Sequence, residues 1–209
     1  MSLVLSKAPL FDAPAVVNGN EIVSSFKLEQ FIGKKEIMIF FYPKDFTYVC
    51  PTEIYAFQEK LAEFEKRGVE LLGVSTDTPE VHLAWLNTPR KEGGIEGITY
   101  PLIADVSKTI AYNYGVLKGD WDYKDDGELT FEGDGVALRG TFFIDKEGTV
   151  RHATINDEPL GRNIDEMIRV VDAWHHHLEY GEVCPANWNQ GDDAMKESRE
   201  SVANYLATH

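Results

Sequence analysis

The sequence predicts an α/β sandwich built on a mixed β-sheet. Short apolar runs alternate with amphipathic helical stripes in the first two thirds of the chain. A strand–turn–strand pair and one long helical stripe then follow. No internal repeat or low-complexity stretch interrupts that order.

Each element has a local reason. Ile37-Met38-Ile39-Phe40-Phe41-Tyr42 is wholly apolar and partly β-branched and aromatic, so it reads as a buried strand. Over residues 51–67, apolar side chains recur at Ile54, Phe57, Leu61 and Phe64, a helical stripe stopped by Gly68. Residues 69–75 read as a second strand. Thr78-Pro79-Glu80 combines a cap, a first-turn proline and an acid, and starts a helix reaching about Asn87. Residues 101–104 form a third short strand, and Ser107 caps a short helix ending near Gly115. Residues 141–144 and 149–155 are strands joined by the turn Asp145-Lys146-Glu147-Gly148. Ile164, Met167, Ile168, Val171 and Trp174 mark the last strong helix. Two segments fall outside this frame. Residues 118–135 are acidic and glycine-containing, and read as an exposed loop. Everything after Tyr180 reads as a C-terminal arm, with a weakly amphipathic helix carrying Met195, Val202 and Leu206.

The 209 residues suit one domain with an extension. The longest apolar run is far short of the roughly 20 residues that span a bilayer. The start, Met1-Ser2-Leu3-Val4-Leu5-Ser6-Lys7, has no charged leader or small-residue cleavage site, so no signal peptide is expected. A net charge of −15 disfavours partnership with nucleic acid or an anionic membrane. Two cysteines, Cys50 and Cys184, are neither a disulfide scaffold nor a Cys-x-x-Cys pair. The expected setting is cytoplasmic.

The segment with chemical potential is Pro43-Lys44-Asp45-Phe46-Thr47-Tyr48-Val49-Cys50-Pro51-Thr52-Glu53. It joins a buried strand to a helix, at the strand end where α/β sites form. Pro51 suits the first helical position, which puts Cys50 at the N-cap, facing free backbone N–H groups that favour a thiolate. Thr47 brings a hydroxyl within reach, able to donate to and accept from a peroxide. Glu53 opposes a nearby anion unless a cation offsets it, and Arg139, opening a buried strand, offers that cation. In this context alone Cys50 is either a small packed hydrophobe or a reactive thiol.

Pro43-x-x-x-Thr47-x-x-Cys50 with Pro51-Thr52-Glu53 resembles the active-site loop of the peroxiredoxins. The similarity is to the typical two-cysteine, alkyl-hydroperoxide-reductase-C-like branch. It continues through Gly73-Val74-Ser75-Thr76-Asp77, His82-Leu83-Ala84-Trp85, Lys91-Glu92-Gly93-Gly94, Arg139-Gly140-Thr141-Phe142, Asn156-Asp157 and Gly181-Glu182-Val183-Cys184-Pro185-Ala186. The resemblance implies a thioredoxin-like fold: a mixed β-sheet flanked by helices, with residues 1–160 as the peroxidase core and 161–209 as last core helix and arm. It implies reduction of hydrogen peroxide and alkyl hydroperoxides without a cofactor or metal. Cys50 would be the peroxidatic cysteine, shielded by Pro43. Thr47 would orient the peroxide, and Arg139 would favour the thiolate and stabilise the leaving oxygen. Glu53 would orient Arg139. Cys184 would resolve the sulfenic acid of a partner subunit in a homodimer, with a decamer as the larger assembly. Thioredoxin would recycle the disulfide, with a dedicated flavoprotein reductase as the rival. A holdase chaperone or a peroxide sensor would use the same Cys50 chemistry without fast turnover.

Two features depart from the branch. The glycine motif reads Gly93-Gly94-Ile95-Glu96-Gly97, and the end reads Asn204-Tyr205-Leu206-Ala207-Thr208-His209, so sensitivity to overoxidation is not implied. His175-His176-His177 reads as a helix end, because adjacent helical positions point about 100° apart. Asp120, Asp122, Asp125 and Asp126 fail the calcium-loop pattern, with Lys124 at a ligand position and no glycine sixth. Trp85 and Trp188 read as packing or interface residues rather than ligand stackers.

Overall fold

The computed structural model describes residues 2–208, so Met1 and His209, which fall in the terminal stretches read above, lie outside it. Within the described residues are nine strands and six α-helices. The strands are β1 (Asp12–Val17), β2 (Glu21–Lys27), β3 (Glu36–Phe41), β4 (Val69–Ser75), β5 (Leu102–Ala104), β6 (Leu117–Tyr123), β7 (Leu129–Ala137), β8 (Arg139–Ile144) and β9 (Val150–Asn156). The helices are α1 (Cys50–Glu59), α2 (Leu61–Lys66), α3 (Pro79–Leu86), α4 (Thr109–Asn113), α5 (Ile164–Tyr180) and α6 (Arg199–Thr208). The chain divides into two compact units, one ending at Arg162 and one beginning at Asn163.

In the first unit, seven strands form one mixed sheet in the order β2-β1-β5-β4-β3-β8-β9. β3, β4 and β5 run parallel, joined by crossovers that carry α1, α2 and α3, and their neighbours run antiparallel. Every residue of β3 is buried, as its unbroken apolar run requires of a strand covered on both faces. Ile37, Ile39 and Phe41 join a core cluster with Val74, Ile103, Phe142 and Ile144. The ring of Phe40 stacks on Phe57 of α1 at 4.0 Å between centroids. Gly73 of β4 makes room for it, because a Cβ there would come within 3.0 Å of the Phe40 ring and 2.9 Å of Leu102.

The mixed sheet and its order of elements match the sequence reading, with four differences in the first unit; in the second, α6 begins at Arg199 and Met195 lies outside it, bridged to Val183. First, the stripe over residues 51–67 is two helices, broken at Lys60 (φ −100°, ψ 1°), where neither glycine nor proline accounts for the break. Second, α4 is capped by Asp105, whose carboxylate accepts from the N–H groups of Ile110 (3.1 Å) and Ala111 (2.7 Å); the Ser107 hydroxyl bonds the Thr109 hydroxyl at 2.7 Å and accepts from a backbone N–H, that of Thr109, only at 3.4 Å. Third, residues 118–135 are a β-hairpin, β6 paired antiparallel with β7. Its acids hid the strands, yet Trp121 packs edge-on against Phe131 across the ladder and against Tyr112 of α4. Fourth, β1 and β2 carry no strand signature: Pro14 interrupts β1 at a register shift, and β2 is largely exposed.

In the second unit, Asn163 caps α5 by accepting from the N–H groups of Asp165 and Glu166. Gly181, at φ 66°, ends it. His176 and His177 of this helix bond the Glu182 carboxylate (3.0 Å) and carbonyl (2.8 Å), so the histidine run anchors the following segment. Trp188 is buried, packs on the His176 ring and bonds the Asp192 carbonyl. Trp85, in the first unit, is likewise buried and bonds the Gly93 carbonyl.

Candidate active site

β3 lies between β4 and β8, and the chain from Tyr42 leads from its carboxyl end to Cys50. Phe46 in this segment has φ 54°, the left-handed region that a non-glycine residue enters only at a steric cost. Cys50 is the first residue of α1, with Val49 as the cap; the expected N-cap position is off by one. Val49 is already helical (φ −82°, ψ −36°), and Pro51 occupies the second position, where its missing N–H is equally harmless. This shift changes the electrostatics. The Thr52 and Glu53 amides are spent on the Val49 carbonyl, and Pro51 has none.

The donor to sulfur is instead Arg139, whose Nη1 lies 3.4 Å from Cys50 Sγ. The same nitrogen donates to Glu53 Oε2 at 2.6 Å, and Arg139 Nε donates to the Glu158 carbonyl at 2.7 Å. Sequence reasoning missed a second cation, Arg162. Its Nε and Nη2 make a two-point contact with Glu53 at 2.8 and 2.9 Å, and its backbone N–H also donates to Glu53. Its Nη1 donates to the carbonyls of Phe41 and Gly140 and to the Thr141 hydroxyl. Nothing in the spacing Gly161-Arg162-Asn163 announces this. The one available signal was the need of a buried Glu53 for more than one partner.

All three charged side chains are almost wholly buried, at 3% exposure for Arg139 and Glu53 and 1% for Arg162. Burial works against the Glu53 carboxylate, but the two guanidinium groups outweigh it and hold Glu53 below the usual carboxylate range. Burial likewise works against charge on Arg139, and the Cys50 sulfur and Glu53 reverse the balance, so it is held protonated more firmly than usual. Two guanidinium groups and one carboxylate leave one positive charge in excess.

A cavity of about 570 Å³ opens over this cluster, with Pro43, Thr47, Val49, Cys50 and Arg139 among its walls. Cys50 forms its floor while itself fully buried. Thr47 does not bond the sulfur. Its hydroxyl donates to the Lys44 carbonyl at 2.9 Å, which leaves its oxygen free to accept. The hairpin contributes Asp134 and Val136 to the rim, opposite Lys44. Lys118 at the hairpin base bridges Asp134 and Glu158. Cys50, Pro43, Thr47, Glu53 and Arg139 are therefore brought to one place.

Cys184 lies in the second unit. It is partly buried, with Sγ 3.6 Å from the Ala173 carbonyl of α5. A Val183–Met195 bridge closes the segment around it, so it is more packed than a free arm would be. Burial pushes its thiol up, Glu182 adds to this, and Arg169 opposes it.

A buried thiol beside an arginine, at the head of a helix leaving a mixed parallel-centred sheet, defines a thiol peroxidase on a thioredoxin-like fold. The profile of the AhpC/TSA family matches residues 4–153, and that of the C-terminal domain of 1-Cys peroxiredoxin matches residues 173–208. The chain belongs to the AhpC/TSA family of peroxiredoxins. It is 50% identical to alkyl hydroperoxide reductase C of Helicobacter pylori over 98% of this chain and 96% of that one. It is 46% identical to peroxiredoxin-2 of Mus musculus over 97% and 94%. The reduced 2-Cys peroxiredoxin of Plasmodium vivax superposes with a TM-score of 0.89 at 44% identity, covering 99% of this chain and all of that one.

Proposed function

We propose that Cys50 is the peroxidatic cysteine of a two-cysteine cycle acting on hydrogen peroxide and alkyl hydroperoxides. The observation that carries this is the Arg139 hydrogen bond to Cys50 Sγ inside a buried cluster with one excess positive charge. The thiolate attacks the terminal peroxide oxygen and the O–O bond breaks. The departing oxygen takes a proton and leaves as water or an alcohol, and Cys50 becomes a sulfenic acid. Arg139 stabilises both the attacking sulfur and the leaving oxygen. Thr47, with its own proton committed to Lys44, accepts from the peroxide O–H. Pro43 shields the sulfur from bulk water, and Glu53 aims Arg139.

Cys184 of a second copy is the resolving thiol. It attacks the sulfenic sulfur, a disulfide forms and water leaves. A disulfide needs Cα atoms about 4.4–6.8 Å apart. Fully buried Cys50 meets that requirement only if the first turn of α1 opens. A dithiol reductant, thioredoxin in the first instance and a flavoprotein reductase as the rival, then restores both thiols. The functional unit is a homodimer, with the decamer as its larger assembly. Residues 1–160 are the peroxidase core and 161–209 the last helix and resolving arm. A cytoplasmic setting suits a chain whose two cysteines form neither a disulfide scaffold nor a Cys-x-x-Cys pair.

Non-reducing electrophoresis after one equivalent of hydrogen peroxide tests the cycle. A covalent dimer is expected for the wild type, and none for Cys50→Ser or Cys184→Ser. If the wild type stays monomeric with Cys50 trapped as sulfenic acid, Cys184 does not resolve. Full peroxide consumption by Cys50→Ser would overturn the mechanism.

A further inference from the structure

Beneath the active-site loop lies a buried polar cluster that the peroxide chemistry does not use. Its centre is His82 of α3, with no exposed surface. Nδ1 lies 2.7 Å from Asp45 Oδ2, and Nε2 lies 3.3 Å from the Ile103 carbonyl of β5. The Asp45 carboxylate accepts a second bond, from the Tyr42 hydroxyl at 2.9 Å, which suits its ionised form. Burial works against the Asp45 charge and holds its carboxyl above the usual range, while the His82 and Tyr42 bonds favour the ionised form; with Asp45 ionised, both ring nitrogens donate and His82 is an imidazolium. The remaining groups facing it are Tyr42, whose hydroxyl lies 3.5 Å from Nδ1, and Asp77, which follows β4 and accepts from the Ser75 hydroxyl. Burial alone would strip the proton from His82, but Asp45 and Asp77 outweigh it and hold the proton above the usual histidine range.

The cluster acts on one peptide group. The Asp45 N–H donates to Asp77 Oδ2 at 2.8 Å. The carbonyl of that same peptide, on Lys44, accepts from the Thr47 hydroxyl at 2.9 Å. The Lys44–Asp45 peptide thus connects the buried ion pair to the hydroxyl that faces the cavity. Phe46, held at positive φ between them, packs on Trp85 of the same helix α3 at 5.7 Å.

We propose that His82 is a positioning residue for peroxide reduction: as a buried imidazolium it fixes Asp45, and through the Lys44–Asp45 peptide it fixes the Thr47 hydroxyl. Loss of its proton, from Nε2, turns a lone pair on the Ile103 carbonyl, displaces the ring and with it Asp45, and loosens that peptide. This rests on the peroxidase reading of Cys50 and Thr47.

The test pairs rates with a direct view of the ring. The rate of Cys50 oxidation by hydrogen peroxide is measured from pH 6 to 10 in the wild type, His82→Gln and Asp45→Asn. Ring-nitrogen NMR on the isotopically labelled wild type follows His82 over the same range. The ring should carry two protons at pH 7, and the wild-type rate should fall at the alkaline pH where one is lost. Both variants should run about tenfold slower at pH 7, without that fall. A singly protonated ring at pH 7 overturns the proposal, as does His82→Gln with the wild-type rate and pH profile. If the variants do not fold, the wild-type ring titration and its coincidence with the rate decide. A wild type that consumes no peroxide sinks the peroxidase reading instead. The positioning claim is then judged by whether the Thr47 methyl resonance moves with the His82 titration.

Discussion

Replacing Arg162 by methionine separates the structural arginine of the site from the chemical one. Arg162 donates to both oxygens of Glu53, to two backbone carbonyls and to one hydroxyl, all inside the protein. Methionine fills much of the same volume and offers none of these donors. Removing one partner of a buried ion pair costs about 3–5 kcal/mol; Arg139 still pairs Glu53, but two buried carbonyls and a hydroxyl lose their donor as well. For a chain of this size each kcal/mol moves the melting temperature by about 2–4 °C. Arg162→Met should therefore melt about 6–20 °C lower by calorimetry. Lysine should rescue little, because one ammonium cannot span five acceptors. The kinetic consequence should be asymmetric. Arg139 touches sulfur and Arg162 does not, so Arg139→Met should lose about 10²–10³-fold in the peroxide rate, as removal of an oxyanion donor does. Arg162→Met, assayed well below its melting point, should lose far less. A melting temperature within 2 °C of wild type would refute the reading of Arg162 as the buried counter-charge of Glu53.

Three further outcomes follow from the same geometry. Thr47→Val should slow Cys50 oxidation by about 10²-fold while Thr47→Ser stays near wild type, measured by stopped-flow fluorescence; equal losses would mean that packing of the side chain matters and its oxygen does not. Because Glu53 is held below the usual carboxylate range, its stabilising contribution is fully present above that range and is lost as pH falls through the lower, folded-state value. Glu53→Gln should thus flatten the acid limb of stability against pH, and an acid limb as steep as the wild type's would count against it. Asp105→Ala should cost about 0.5–2 kcal/mol in denaturant titration by uncapping α4, whereas Ser107→Ala should cost little.

Sequence reading reached the parts of this molecule where local pattern and tertiary role agree. β3 is apolar throughout because both its faces are covered, and α3 starts at Thr78-Pro79 because the cap chemistry is local. Cys50, Thr47 and Arg139 were legible from a motif whose spacing reflects one loop and one strand. Arg162 and the Asp45–His82 pair were not, since their roles exist only once β3, α3 and the segment before α5 come together. The hairpin of β6 and β7 was misread for another reason. Leu117-Lys118-Gly119-Asp120-Trp121-Asp122 does alternate, and its burial alternates with it, but the run of acids and glycines over residues 118–135 outweighed that signal in a sequence reading.

That hairpin also has a dynamic meaning. An isolated two-stranded ribbon is barely stable in water. This one is tied down at its base, where Leu117 pairs with Ala137 and Val136 is buried at the cavity rim, while Tyr123 and Leu129 near its tip are open to solvent. Amide exchange should therefore be graded along it, fast at the tip and slow at the rim. The tip can fray, or accept an inserted tag, while the wall of the cavity keeps its shape. Trp121 lies between the two regimes and serves as a built-in optical reporter of how far the fraying runs.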